Sequence, residues 1–162
     1  MSTTHAEFEN MLRDAINKAK ETAPRAVDDL VGCASKAAEA VAGVTGGAAV
    51  LELVPVDERD DSTPTYQLQL RKSGSEAPSS DLGIYRVTSA GYPVLRWYSR
   101  AKWESNPEKP DGQYNDFSAL ESNFKWMLSK PESRLVVLVT FFQQQPIAQA
   151  KQKSEKKTKS GK

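Results

Sequence analysis

The side chains best suited to binding chemistry are cations and aromatic rings that lie close together near the middle of the chain. The segment 96–103 reads RWYSRAKW and contains three cations and three aromatic rings. Arginine combined with aromatic rings is typical of protein-interface hot spots and of surfaces that stack single-stranded nucleic acid. This segment is therefore the first candidate for a binding surface.

The alternation of side chains along a strand extends this candidate surface to neighbouring strands. Arg86 points away from the helices if Tyr85 faces them, and Arg96 and Tyr98 point away if Trp97 faces them. We call the predicted binding residues the basic-aromatic surface: Gln67, Gln69, Arg71, Arg86, Arg96, Tyr98, Arg100, Lys102 and Trp103. A solvated sheet face, a protein interface and a nucleic-acid surface all remain open for it.

The end of the chain forms a second, purely electrostatic candidate. Residues 151–162 contain six lysines and one glutamate, a net charge of +5 that leaves −4 on residues 1–150 of this +1 chain. Because the segment lacks apolar residues, we predict a disordered tail over residues 146–162. It either solubilises the protein or attracts phosphates or an acidic partner. The tail cations are Lys151, Lys153, Lys156, Lys157, Lys159 and Lys162.

Several kinds of catalytic or metal site are excluded by residue type. His5 is the one histidine and Cys33 the one cysteine, so no Ser–His–Asp triad, zinc cluster or disulfide is expected. The segment 43–47 (GVTGG) lacks the Lys-Ser/Thr of a phosphate-binding loop, and the acidic run 57–61 is typical of a solvated turn. We predict no catalytic residue, no metal and no cofactor.

The predicted elements begin with two helices. Apolar residues recur at helical spacing from Phe8 to Ala19 and again from Val27 to Val41, and Pro24 suits the first position of a second helix. We therefore predict an N-terminal helical hairpin over residues 4–21 and 24–43.

Alternation and turn residues predict a four-strand antiparallel meander after the hairpin. The strands are expected at 50–56, 66–71, 84–88 and 94–99, and a loop at 105–115 leads to a helix capped by Asn115 or Asp116. The apolar, β-branched run 135–142 predicts a final buried strand. The predicted fold is one α+β domain over residues 1–145, with about five strands in a mainly antiparallel sheet.

These observations favour a small non-enzymatic protein-binding module, such as an accessory subunit, adaptor or inhibitor, whose partner is another protein or a second copy. The alternative is nucleic-acid binding through the basic-aromatic surface and the tail. A third hypothesis is an enzyme that uses carboxylates or tyrosine hydroxyls, which would require a deep pocket with two or more of Asp57, Glu104, Asp111 and Tyr114. The N-terminus has no apolar signal segment, and no stretch of the sequence is apolar over the length needed to span a membrane. We therefore expect a cytoplasmic location without a membrane partner.

Overall fold

The computed structural model describes residues 4–56 and 63–144, and its first element is a single long helix. Helix α1 covers His5–Thr45, which at about 1.5 Å per residue is about 60 Å. A capping box begins it, because the Thr4 hydroxyl accepts from the Glu7 amide at 3.2 Å and the Glu7 carboxylate accepts from the Thr4 amide at 3.2 Å. Gly46, with a φ of 60°, ends it.

The predicted helical hairpin is wrong, because Pro24 lies inside α1 and does not begin a second helix. Proline fits the helical φ and costs the helix one backbone hydrogen bond, here the one to the Lys20 carbonyl. Both flanking segments continue the same helical face, and residues from Ala26 onward are buried on the sheet. This packing offsets the lost hydrogen bond, so the chain does not turn.

The α+β class and the antiparallel meander are confirmed. Five strands form one antiparallel sheet in chain order. They are β1 (Ala49–Pro55), β2 (Thr65–Lys72), β3 (Ser80–Thr88), β4 (Gly91–Trp97) and β5 (Gly112–Tyr114). The later helices are α2 (Arg100–Ser105), α3 (Phe117–Ser129, capped by Asp116) and α4 (134–144).

The expected final strand over residues 135–142 is also wrong, since this run belongs to α4. Ser133 is buried and its hydroxyl accepts from the Val136 amide at 3.2 Å, which satisfies a free donor in the first turn of the helix. Leu135, Leu138, Val139 and Phe142 recur at helical spacing and contact the core. The fifth strand is instead β5, in the segment predicted as a loop.

Two apolar clusters lie on opposite faces of the sheet. Helices α1, α3 and α4 cover one face, which we call the helix side, and its central side chains include Leu30, Leu68, Tyr85 and Phe124. On the opposite face, Trp103 of α2 packs over Ile84 and Trp97. No helix among the described residues is long and apolar enough to cross a membrane.

A glycine in β3 changes the side-chain alternation at the centre of the sheet. Gly83 has a φ of 118°, and the register between β2 and β3 shifts opposite it. Leu82 and Tyr85 consequently both face the helix side, with Ile84 on the other face. A Cβ at Gly83 would lie 2.5 Å from the Trp97 carbonyl oxygen, so the close approach of β3 and β4 requires glycine.

Replacement of Pro24 by alanine should strengthen α1, because alanine restores the missing amide donor in the helix interior. We expect slower amide hydrogen exchange on both sides of residue 24, with helix stability increased by about 2–3 kcal/mol. Pro131→Ala, between α3 and α4, is the control. Unchanged exchange in Pro24→Ala would instead fit two helices that meet at this proline, where no donor is lost.

Gly83→Ala should destabilise the protein by at least about 2 kcal/mol, measured by urea unfolding. Gly74→Ala is the matched control, because Gly74 also has a positive φ (70°) but has no atom near the position of an added Cβ. Equal losses in the two variants would show that backbone conformation alone, and not the contact with Trp97, determines the cost.

Candidate functional site

The predicted basic-aromatic surface does not exist as one surface, because its residues lie on both faces of the sheet. Arg96 pairs in register with Tyr85, so both side chains face the helix side. Trp97 lies on the opposite face, where it contacts Trp103. The expected orientation of Arg86 is confirmed, whereas those of Arg96 and Trp97 are reversed, and Trp103 is only 4% exposed.

Most polar residues of the opposite face bind each other. The Glu52 carboxylate accepts from Arg71 Nε at 2.8 Å and from Gln69 Nε2 at 3.4 Å. Arg86 Nε donates to the Thr63 hydroxyl at 2.9 Å. These contacts connect β1 with β2, and β3 with the segment before β2. The polar groups named here therefore have partners within the protein, and their positions need no ligand to explain them.

Asp81 organises the rest of that face. Its carboxylate accepts from the amides of Gly83 (2.9 Å) and Arg100 (2.6 Å) and from Gln67 Nε2 (3.2 Å). The Arg100 guanidinium donates to Gln67 at 3.1 Å and to Glu104 at 3.0 Å. The carboxylate therefore joins the bulge in β3 to the start of α2.

The three described residues of the enzyme hypothesis, Glu104, Asp111 and Tyr114, each have a different partner. Glu104 pairs with Arg100 on α2, and Asp111 lies 3.6 Å from the Lys102 ammonium. Tyr114 lines a cavity with Arg96. Asp57 lies outside the described residues, as do the rest of the acidic run and the six tail lysines.

The cavity around Arg96 is the first candidate site, and we call it the Arg96 pocket. It has a volume of about 400 Å³ and lies between β4, β5, α3 and the start of α4. Its lining residues are Leu82, Arg96, Tyr98, Tyr114, Asn123, Trp126, Met127, Arg134 and Leu135. Two of them are cations and none is a carboxylate.

Arg96 is held in this pocket by neutral groups. It is 8% exposed, and its Nη1 donates to Asn123 Oδ1 at 2.7 Å while Nη2 donates to the Leu82 carbonyl at 3.2 Å. Its guanidinium carbon lies 5.3 Å from the ring centre of Tyr85 and 5.1 Å from that of Tyr98. No carboxylate in the described ranges forms an ion pair with it.

Asn123 connects Arg96 to two tyrosines. Its Oδ1 also accepts from the Tyr114 hydroxyl at 2.6 Å, and its Nδ2 donates to the Tyr85 hydroxyl at 2.8 Å. Burial raises the pKa of the Tyr85 hydroxyl well above its ordinary value, so this group stays neutral and does not balance the arginine charge.

The second candidate site is the first half of α1, which carries an apolar face into solvent. Phe8 is 59% exposed, Met11 63%, Leu12 64% and Ile16 45%. We call these residues, with Ala15 and Ala19 on the same face, the α1 stripe. The helical spacing of these residues, Met11 excepted, is visible in the sequence, but the predicted hairpin places them in the core. The length of the continuous helical pattern could have indicated an exposed end, since about 60 Å of helix cannot be covered by strands of seven to nine residues.

Among residues 4–56 and 63–144, no three histidine, cysteine, aspartate or glutamate side chains come close enough to form a metal site. Comparison of the chain with protein-family models, curated proteins and solved structures found no match.

Asn123→Ala should destabilise the protein by about 2–3 kcal/mol, because it leaves Arg96, Tyr114 and Tyr85 without their shared partner. Ser122→Ala, at the exposed neighbouring position of α3, should change the free energy of unfolding by less than about 0.5 kcal/mol. Similar values for the two variants in urea unfolding would contradict a structural role for the amide.

Proposed function

We propose that this protein is a protein-binding module whose docking surface is the α1 stripe, and that its first partner is a second copy of the same chain. The observation that carries this proposal is the exposure of four large apolar side chains on one face of a helix that extends beyond the sheet. Contiguous exposed apolar surface of this kind marks interaction sites in folded proteins.

The α1 stripe is a continuation of the buried face of the same helix. Leu30, Ala37 and Val41 are buried against the sheet, and at 100° per residue Phe8, Leu12 and Ala19 lie in the same angular range. The first half of α1 thus presents the face that the second half buries. A second helix packed on it would cover the stripe as the sheet covers the rest.

The charges beside the stripe favour a second copy in antiparallel orientation. Glu9 and Lys20 lie eleven residues, about three turns, apart on one flank, and Glu7 and Lys18 lie at the same spacing on the other. At these four positions each flank is acidic towards the N-terminus and basic towards residue 20, whereas Arg13, Asp14 and Glu21 lie farther round the helix from the stripe. In an antiparallel pair, equivalent flanks meet, so each glutamate approaches a lysine of the second copy.

A parallel pair brings together like charges. In that orientation the flank with Glu9 meets the flank with Glu7 of the second copy, and Lys20 meets Lys18. The antiparallel pair also places the large end of the stripe, at Phe8, opposite its small end, at Ala19. Charge and side-chain size thus favour the same two-fold arrangement, which is self-complementary as an isologous interface requires.

Sedimentation equilibrium over a series of protein concentrations tests the dimer. We expect the full chain to dimerise and Leu12→Asp to be monomeric, because the aspartate places a charge in the centre of the stripe. Val31→Asp is the matched control, since Val31 is an exposed apolar residue of α1 outside the stripe. A full chain that stays monomeric at every concentration, or a dimer that tolerates Leu12→Asp, contradicts the proposal.

Charge reversal tests the orientation. Glu9→Lys and Lys20→Glu should each weaken the dimer by repulsion across the interface, and the double variant should restore it. Glu7 is left unchanged because its carboxylate caps α1. Helix content measured by circular dichroism controls for fraying. Failure of the double variant to recover association would exclude the antiparallel pair.

The nucleic-acid alternative gains no support from the described residues. Its aromatic platform required Arg96, Tyr98 and Trp103 on one face, whereas Arg96 and Trp103 are buried on opposite sides of the sheet. The lysine-rich tail lies outside the described residues, so its contribution stays a prediction from charge alone.

A further inference from the structure

We propose that the Arg96 pocket binds a small organic anion, specifically a carboxylate carried on an aromatic or alicyclic body. The pocket combines a buried cation without a counter-ion, a second cation and an apolar wall. Its residues come from the sheet, the connection after β4, α3 and α4, and none belongs to the α1 stripe, so this site is independent of the proposed dimer.

The charge of Arg96 is not balanced by any described carboxylate. A guanidinium removed from water is costly unless a carboxylate or a full set of hydrogen bonds compensates it. Arg96 has no carboxylate partner among the described residues, and its buried Nε has no hydrogen-bond acceptor. An anion bound in the pocket would supply the missing counter-charge.

Arg134 gives the pocket a second cation. It lies at the start of α4, where its Nε donates to the Asp81 carbonyl at 2.8 Å, and its side chain lines the cavity. A backbone carbonyl orients this guanidinium without neutralising it. Because none of the lining residues is acidic, the potential inside the pocket favours anions over neutral or cationic ligands.

The rest of the wall suits an apolar body of ring size. Leu82, Met127, Trp126 and Leu135 line the cavity beside the ring of half-exposed Tyr98. A volume of about 400 Å³ lies within the usual range for small-molecule sites, which combine an apolar wall with a few orienting polar groups. Asn123 and Tyr114 supply such polar groups next to Arg96.

Isothermal titration calorimetry with benzoate, phenylacetate and cyclohexanecarboxylate tests the site in the full chain. The matched amides keep the body and remove the charge, and acetate keeps the charge and removes the body. We expect the ring carboxylates to bind at least about tenfold more tightly than either control. No binding of any ring carboxylate, or equal binding of the amides, would overturn the proposal.

Variants assign the binding to Arg96. Asn123→Asp places a carboxylate where the amide oxygen now lies, 2.7 Å from Arg96 Nη1, and so satisfies the arginine from within the chain. We expect this variant to remain folded and to lose binding by at least about tenfold, with Arg134→Gln weakened and the control Arg71→Gln, on the opposite face, unchanged. Undiminished binding in Asn123→Asp would overturn the assignment. Arg96→Met, if folded, should also lose binding.

Discussion

The packing of the second half of α1 against the sheet is the contact on which the helix side of the molecule depends. Alanines on the buried face, such as Ala26, Ala34 and Ala37, let the helix approach the strands closely. The meander folds beneath this face, and α3 and α4 pack beside it in the same apolar cluster. Because α1 is continuous, the same contacts also fix the direction in which its first half leaves the sheet. The α1 stripe therefore has a defined position, although nothing within residues 4–56 and 63–144 covers it.

The Arg96 pocket depends on a different constraint, the register between β3 and β4. Gly83 allows these strands to approach closely, and the register then pairs Arg96 with Tyr85 on the helix side. On this side the arginine is only 8% exposed and meets solvent only within the pocket that it lines. Its charge is held by an amide, a carbonyl and two aromatic rings, which is an arrangement that tolerates a guanidinium and leaves its affinity for anions available.

Sequence patterns predicted the parts of the fold that local periodicity determines. The alternation at 66–71 and the Asp116 cap gave β2 and α3 correctly. The strand predicted at 135–142 is a helix, because a short β-branched stretch has the same composition in a buried strand and in a buried helix. The Arg96 pocket could not be predicted from the sequence for a related reason. Helix α2 has only six residues and shows no periodicity, so the sequence does not indicate that Trp103 packs over Trp97 and holds it on the face opposite Arg96.

Because α1 continues through Pro24, the number of residues between the α1 stripe and Ala26 fixes the angle between the exposed stripe and the buried face of the helix. Each residue of an α-helix advances the face by about 100°, so one residue inserted between the stripe and Ala26 would turn the exposed face to the side of the molecule. An insertion of seven residues would nearly preserve the angle and move the stripe about 10 Å outward. In an antiparallel dimer centred near residue 14, the two Ala26 residues, where burial of α1 on the sheet begins, would lie about 36 Å apart along the helix axis. In such a dimer, the length of the first half of α1 would set the distance between the two copies of the Arg96 pocket.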